Sequence, residues 1–119
     1  MRLLRYAAAA AALATLLVTA PVPARAETTA TSTITQLKVL EKSDENYRLF
    51  HGALWLDYDK ATANYRWGGA HCKNQGLSDL NISLLFSAFR AKYSVTIDYR
   101  VVSYRQRKFR CITGFSITR

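Results

Sequence analysis

Between two lone cysteines, Cys72 and Cys111, a helical apolar rhythm runs without a break into an alternating strand rhythm. In LSDLNISLLFSAFRAKYSVTIDYRV, Leu77, Leu80, Leu84, Ala88 and Ala91 recur every three or four positions. Val95, Ile97, Tyr99 and Val101 then recur every two. The first spacing lays an apolar stripe along one helix face and the second lines one side of a strand. One helix therefore feeds one strand, inside a stretch that a single disulfide would staple.

The oxidising compartment such a bond needs is signalled at the N-terminus. Arg2 and Arg5 precede an apolar run from Ala7 to Ala20, which ends at the small-residue signal Ala24-Arg25-Ala26. These are the three parts of an export leader, so residues 1–26 are expected to be removed after Ala26. The apolar run is shorter than the roughly 18 residues of a membrane span, and no later stretch approaches that length. A secreted or periplasmic chain with no membrane span is expected.

Removal of the leader leaves 93 of the 119 residues, and 14 basic side chains against 8 acids, a net charge of +6. That length suits one domain with a modest core, for which a covalent staple matters. Closing the loop from Cys72 to Cys111 stabilises on the order of 4 kcal/mol in the chain-entropy model. An intermolecular bridge and a reactive thiol are the alternatives, but no CxxC pair points to redox chemistry. His71 beside Cys72 does not reproduce zinc-ligand spacing, so no metal and no cofactor are expected.

Glu27 to Thr33 is small and polar and is expected as a flexible arm, able to extend into the first strand, before a single domain at 34–119. Ile34, Leu37, Val39 and Leu40 indicate a first strand with one irregularity, closed by the polar turn Glu41 to Asn46. Tyr47 to Tyr58 indicates a second, with Gly52 as a bulge or bend; a bulge there points Leu54 and Leu56 inward with Leu49 and leaves Trp55 outside. Ala63 to Ala70, ending in Gly68-Gly69, is the third. Ser78 is suited to cap a helix from Asp79 to about Ala91. Ser94 to about Tyr104 and Phe109 to Thr118 complete the set around the turn RQRK, with Phe109, Cys111, Phe115 and Ile117 expected on one face. The chain is thus mainly β with one helix, in the order β-β-β-α-β-β. That is the order of a small five-stranded OB-fold-like Greek-key barrel, although a plain antiparallel sheet crossed by one helix gives the same string.

No residue pattern signals an enzyme. His51 lies in a strand and His71 in a loop, and neither has a nucleophile or paired carboxylate in a catalytic spacing. Asp57 and Asp59 share a face at a strand end, as acids flanking a solvated turn do. Asn81-Ile82-Ser83 matches a glycosylation acceptor but falls inside the expected helix. From Arg100 onward, Arg100, Arg105, Arg107, Lys108, Arg110 and Arg119 occur with no acid. Arg105, Arg107, Lys108 and Arg110 therefore form either a footprint for a polyanion or acidic protein, or a charged edge that discourages strand pairing. Nucleic acid is the less favoured polyanion. Aromatics crowd the region before the helix, where exposed rings suit stacking on sugars.

The stretches LKVLEKSDENY, FSAFRAKYSVTIDY and CITGFSI resemble the B subunits of pertussis-like, typhoid and subtilase toxins. The resemblance implies a noncatalytic OB-fold subunit that assembles as a homopentamer beside a catalytic A-type subunit and binds a host cell-surface glycan. In that family a serine near the start of the second strand helps hold the sugar, and the corresponding turn here, SDENY, offers Ser43 and Tyr47. With Trp67, at the end of the third strand, these are the expected glycan contacts. The family's helix faces the centre of the ring, which gives Asn81, Arg90 and Lys92 an expected interface role.

Overall fold

The computed structural model describes residues 26–60 and 62–119. The expected leader, apart from Ala26, lies outside the described residues. Six strands and one helix follow in order: β1 (Glu27–Thr28), β2 (Ser32–Val39), β3 (Gly52–Leu56), β4 (Asn64–Trp67), α1 (Asp79–Ala91), β5 (Ser94–Tyr104) and β6 (Arg107–Thr118). The protein is mainly β with one helix. Among the described residues no helix is long and apolar enough to cross a membrane.

The longest pairing is the β5–β6 hairpin, antiparallel from Ser94↔Thr118 to Tyr104↔Arg107. Its turn residues Arg105 and Gln106 both have positive φ, 47° and 66°, which matches the right-handed twist of the flanking strands. Further along, the register shifts between Asp98↔Gly114 and Tyr99↔Ile112, so that Thr113 is the extra residue of a bulge. This bulge corrects the expected single face of the last strand. Ile112 and Phe115 pack with Val95, Ile97 and Tyr99, whereas Phe109 and Cys111 face a second cluster with Cys72, Val102 and Tyr104.

β2 pairs antiparallel with β3, and its expected irregularity is a register shift between Ile34 and Gln36. β3 pairs antiparallel with β4, and β4 runs parallel to β6 through Tyr65↔Arg110 and Arg66↔Cys111. β5 pairs with β2 at Ser32↔Val95 and Thr33↔Ser94 as well as with β6, so the pairings return on themselves. Two of these seams, β2–β5 and β4–β6, are only two residue pairs long. The Cys72–Cys111 disulfide, with its Cα atoms 5.5 Å apart, lies beside the β4–β6 seam.

The segment expected as a flexible arm is tied down instead. β1 pairs with β5, Thr28 Oγ1 donates to Asp98 Oδ1 at 2.7 Å, and the Tyr99 hydroxyl donates to Glu27 Oε2 at 2.7 Å. Thr29 is buried and exchanges bonds with Ile97 in both directions. These polar residues order because β5 offers them an otherwise unpaired edge.

The second expected strand is also shorter than its composition suggests. Residues 41–50 form successive turns, with Asp44 N–H donating to Glu41, Tyr47 to Asp44 and Leu49 to Asn46. Asp44 Oδ1 accepts from Asn46 N–H at 2.8 Å, the local side-chain bonding that favours turns over ladders. Gly52 opens β3 and is no bulge. The Trp67 indole packs against it, and a Cβ there would overlap the ring and come 2.6 Å from the Lys38 carbonyl oxygen.

Ser78 caps α1 as expected, its Oγ accepting from Asn81 N–H at 3.2 Å, and Lys92 ends it in the left-handed conformation. The buried helix stripe keeps Leu77 and Ala88 of the expected one but is rotated away from Leu80 and Leu84. Leu85 and Ala88 are buried, with Leu77, Ile82 and Phe89 partly buried around them, while Leu80 is 70% and Leu84 42% exposed. Both stripes have three- and four-residue spacing, so periodicity alone does not choose between them. The core they cover contains Leu54, Leu56, Tyr65, Trp67, Val95 and Ile97.

Candidate functional site

The turns at 41–47 and the first turn of α1 face each other across the ends of β2 and β4, and leave a cleft of about 730 Å³. All three expected glycan contacts border it: Ser43 and Tyr47 from the turns, and Trp67 from β4. Ser43 is exposed and Tyr47 half-buried. The Tyr47 ring stacks on His51, with centroids 4.0 Å apart and planes 6° from parallel. His51 is held on both sides by its backbone, donating to Trp67 O at 2.8 Å and accepting from Leu40 N–H at 2.9 Å.

Glycines at the end of β4 allow this close approach. Gly68 and Gly69 have φ of 71° and 69°, and a Cβ on Gly68 would overlap the His51 ring. Trp67 differs from the expectation in one respect. It is fully buried, so it has no ring face free for stacking; its indole packs against Gly52 and its carbonyl accepts from His51 N–H. Sequence reasoning missed Glu41, Lys42, His51, Asp79 and Ser83 as further lining residues. Their turn and helix start are legible locally, but the meeting of the two is tertiary. Asp79 and Ser83 are one helical turn apart and supply hydrogen-bonding oxygens on one side of the cleft.

A second pocket, about 480 Å³, opens between β4 and the β5–β6 hairpin. It brings together Arg107, Lys108 and Arg110 of the expected polyanion set. Arg105 stands apart in the hairpin turn, its guanidinium 5.4 Å from the Tyr104 ring centroid. Arg66, which sequence reasoning did not single out, is the fourth cation of the lining. Its Nε donates to Asn64 Oδ1 at 3.0 Å and its Nη1 to His71 Nδ1 at 2.8 Å. A guanidinium only donates, so His71 Nδ1 accepts and a neutral His71 carries its proton on Nε2. His71 is buried and stacks on Phe109 at 3.9 Å. Burial, Arg66 and Arg107 all lower its proton affinity.

The remaining acids form a structural unit. Asp57–Asp59 is one turn of 3-10 helix, and Asp59 Oδ2 accepts from the Tyr65 hydroxyl at 3.1 Å. Burial and the bonds to Tyr58 and Asp59 hold the Tyr65 phenol well above its ordinary range. Among the described residues no cluster of three or more His, Cys, Asp or Glu side chains is disposed to hold a metal ion. In comparisons with known proteins, no family model, no curated protein and no solved structure matches this chain.

Proposed function

We propose that this chain is an exported, noncatalytic binding subunit, built on a five-stranded OB-fold-like Greek-key barrel, that takes a surface glycan in the cleft at Ser43 and Tyr47. The observation that carries the reading is convergence. Three residues chosen from the sequence, separated by up to 24 positions, border one cleft large enough for one or two sugar rings. Tyr47, backed by His51, offers a pre-set aromatic surface for the apolar face of a sugar. Ser43, Glu41, Asp79 and Ser83 offer oxygens for its hydroxyls, and Trp67 supports the wall.

The barrel reading is supported by the cyclic pairing order, the parallel β4–β6 seam and the helix entering before β5. A ring assembly with a catalytic partner is part of the same proposal. Leu80 and Leu84 give one flank of α1 exposed apolar surface for it, near Asn81, and Phe86 gives the other, beside Arg90. A glycan array on the processed protein is expected to give a sugar whose binding falls at least tenfold in Tyr47→Ala, with light scattering reporting a multiple of the monomer mass. An array without a hit together with a monomeric mass would sink the reading.

A further inference from the structure

Four cations line the pocket between β4 and the β5–β6 hairpin, and no carboxylate is among its lining residues. A charged edge that merely discourages strand pairing needs only long, exposed side chains. Arg107 and Lys108 fit that description. Arg66 does not. It is half-buried, its Nε and Nη1 are committed to Asn64 and His71, and its guanidinium carbon lies 4.3 Å from the Phe50 centroid and 4.8 Å from that of Phe109. The flat ion is therefore fixed in orientation before any ligand arrives, while Nη2 has no protein acceptor among the described residues.

A partly desolvated guanidinium beside a second one is unfavourable without a counter-charge. Burial and Arg107 both weaken the hold of Arg66 on its proton, and among the described residues its side-chain partners are the neutral Asn64 and His71, with no carboxylate. Arg107 is the guanidinium on the same face, 5.6 Å from the Phe109 centroid, whereas Arg110 turns to the other face of the sheet, near the Tyr65 and Tyr99 rings at 5.6 and 5.8 Å. The counter-ion that suits this arrangement has more than one pair of acceptor oxygens, since cations approach from β4 and from the hairpin. A carboxylate presents two oxygens and would engage one guanidinium fork. A tetrahedral oxyanion presents three to four and can bridge several. Phe109, Val101 and Ala63 complete the lining with apolar surface, against which the carbon bearing the anion can rest.

From this geometry we infer that the pocket receives a sulfate or phosphate ester group, with Arg66 as its pre-oriented anchor, Arg107 as the second guanidinium and the exposed Lys108 at the rim. None of its lining residues borders the Ser43–Tyr47 cleft, so the two sites stand or fall separately. The ester group differs from the neutral hydroxyls that the first cleft is suited to. A glycan carrying such a group would be the ligand able to engage a subunit at this second place.

The test uses the oxidised, processed protein and three monosaccharides that differ in their charged group: galactose 6-sulfate, galactose 6-phosphate and galacturonate. Nuclear magnetic resonance titrations at low salt follow the Arg66 guanidinium and the His71 ring. One or both esters are expected to bind at least tenfold more tightly than galacturonate, and whichever ester is preferred identifies the source of the oxyanion. The bound anion offsets the positive charge that lowers the His71 pKa, so that pKa should rise on binding. Arg66→Gln and the exposed pair Arg107→Gln, Lys108→Gln should each weaken ester binding at least tenfold, and Arg119→Gln, outside the pocket, should not. If Arg66→Gln fails to fold, the exposed pair carries the comparison. Galacturonate binding as well as the esters, or Arg119→Gln weakening binding as much as the pocket variants, would overturn the inference.

Discussion

Removing the Cys72–Cys111 disulfide tests how this small sheet is held closed. The bond joins residues 39 apart, and both cysteines are completely buried. In the chain-entropy model a loop of that length stabilises by about 4 kcal/mol at 25 °C through restriction of the unfolded chain. For a domain of this size about 4 kcal/mol corresponds to a fall of roughly 15–30 °C in the unfolding midpoint. The local consequence is sharper. Next to the disulfide, β4 and β6 share only the pairs Tyr65↔Arg110 and Arg66↔Cys111, so the bond reinforces one of the two shortest seams of the ring. The suitable perturbation is Cys72→Ala with Cys111→Ala, which leaves no buried hydroxyl behind. Urea unfolding read by tryptophan fluorescence gives the global change, and hydrogen exchange along β4 relative to the β5–β6 hairpin gives the local one. The expected pattern is a loss of about 4 kcal/mol globally, with the β4–β6 amides opening before those of the β5–β6 hairpin. A global loss below about 1 kcal/mol, or uniform exchange across both seams, would refute the reasoning.

Two further outcomes follow from the same packing. Gly52→Ala should destabilise by about 2–3 kcal/mol through overlap with the Trp67 ring and the Lys38 carbonyl. Adding Trp67→Phe should recover part of that loss in a double-mutant cycle of urea midpoints, and strict additivity of the two changes would contradict the contact. The pH dependence centres on His71, whose folded-state pKa lies below the unfolded value near 6.5 because burial and two arginines oppose its charge. The unfolded chain therefore binds the proton more readily. The His71 contribution should be fully present above about pH 6.5 and decline as the pH falls from there toward the depressed folded value. His71→Gln should flatten that part of the pH profile of the unfolding midpoint.

Much of the architecture is written in local pattern. The helix from Asp79 to Ala91, its Ser78 cap, the strand from Ser94 to Tyr104 and the irregularity near Ile34 all follow from spacing and capping chemistry that act over a few residues. The misses share a different cause. Residues 41–50 contain aromatic and branched side chains that also suit strands, but the Asp44–Asn46 turn bonding prevailed. The face of the last strand inverts at Thr113 because of a bulge, and nothing in CITGFSI marks which residue is extra. The two candidate helix stripes are equally periodic, and the body of the sheet selected Leu85 and Ala88.

The sites divide along the same line. Ser43, Tyr47, Arg107, Lys108 and Arg110 stand out in the chain because turns gather polar residues and a run of cations is visible by composition. Arg66 looks like any exposed strand arginine until the β4–β6 pairing sets it beside Arg107 and His71. By itself the sequence determined that a helix runs into a long strand, where that helix starts and stops, and which two sulfurs can join. The tertiary structure decided which faces are buried, that Trp67 is fully enclosed, and that the Arg66 guanidinium is held by Asn64 and His71 between two phenyl rings. Periodicity and capping are short-range properties of the chain, whereas burial, charge compensation and the joining of distant turns exist only once the strands have closed on one another.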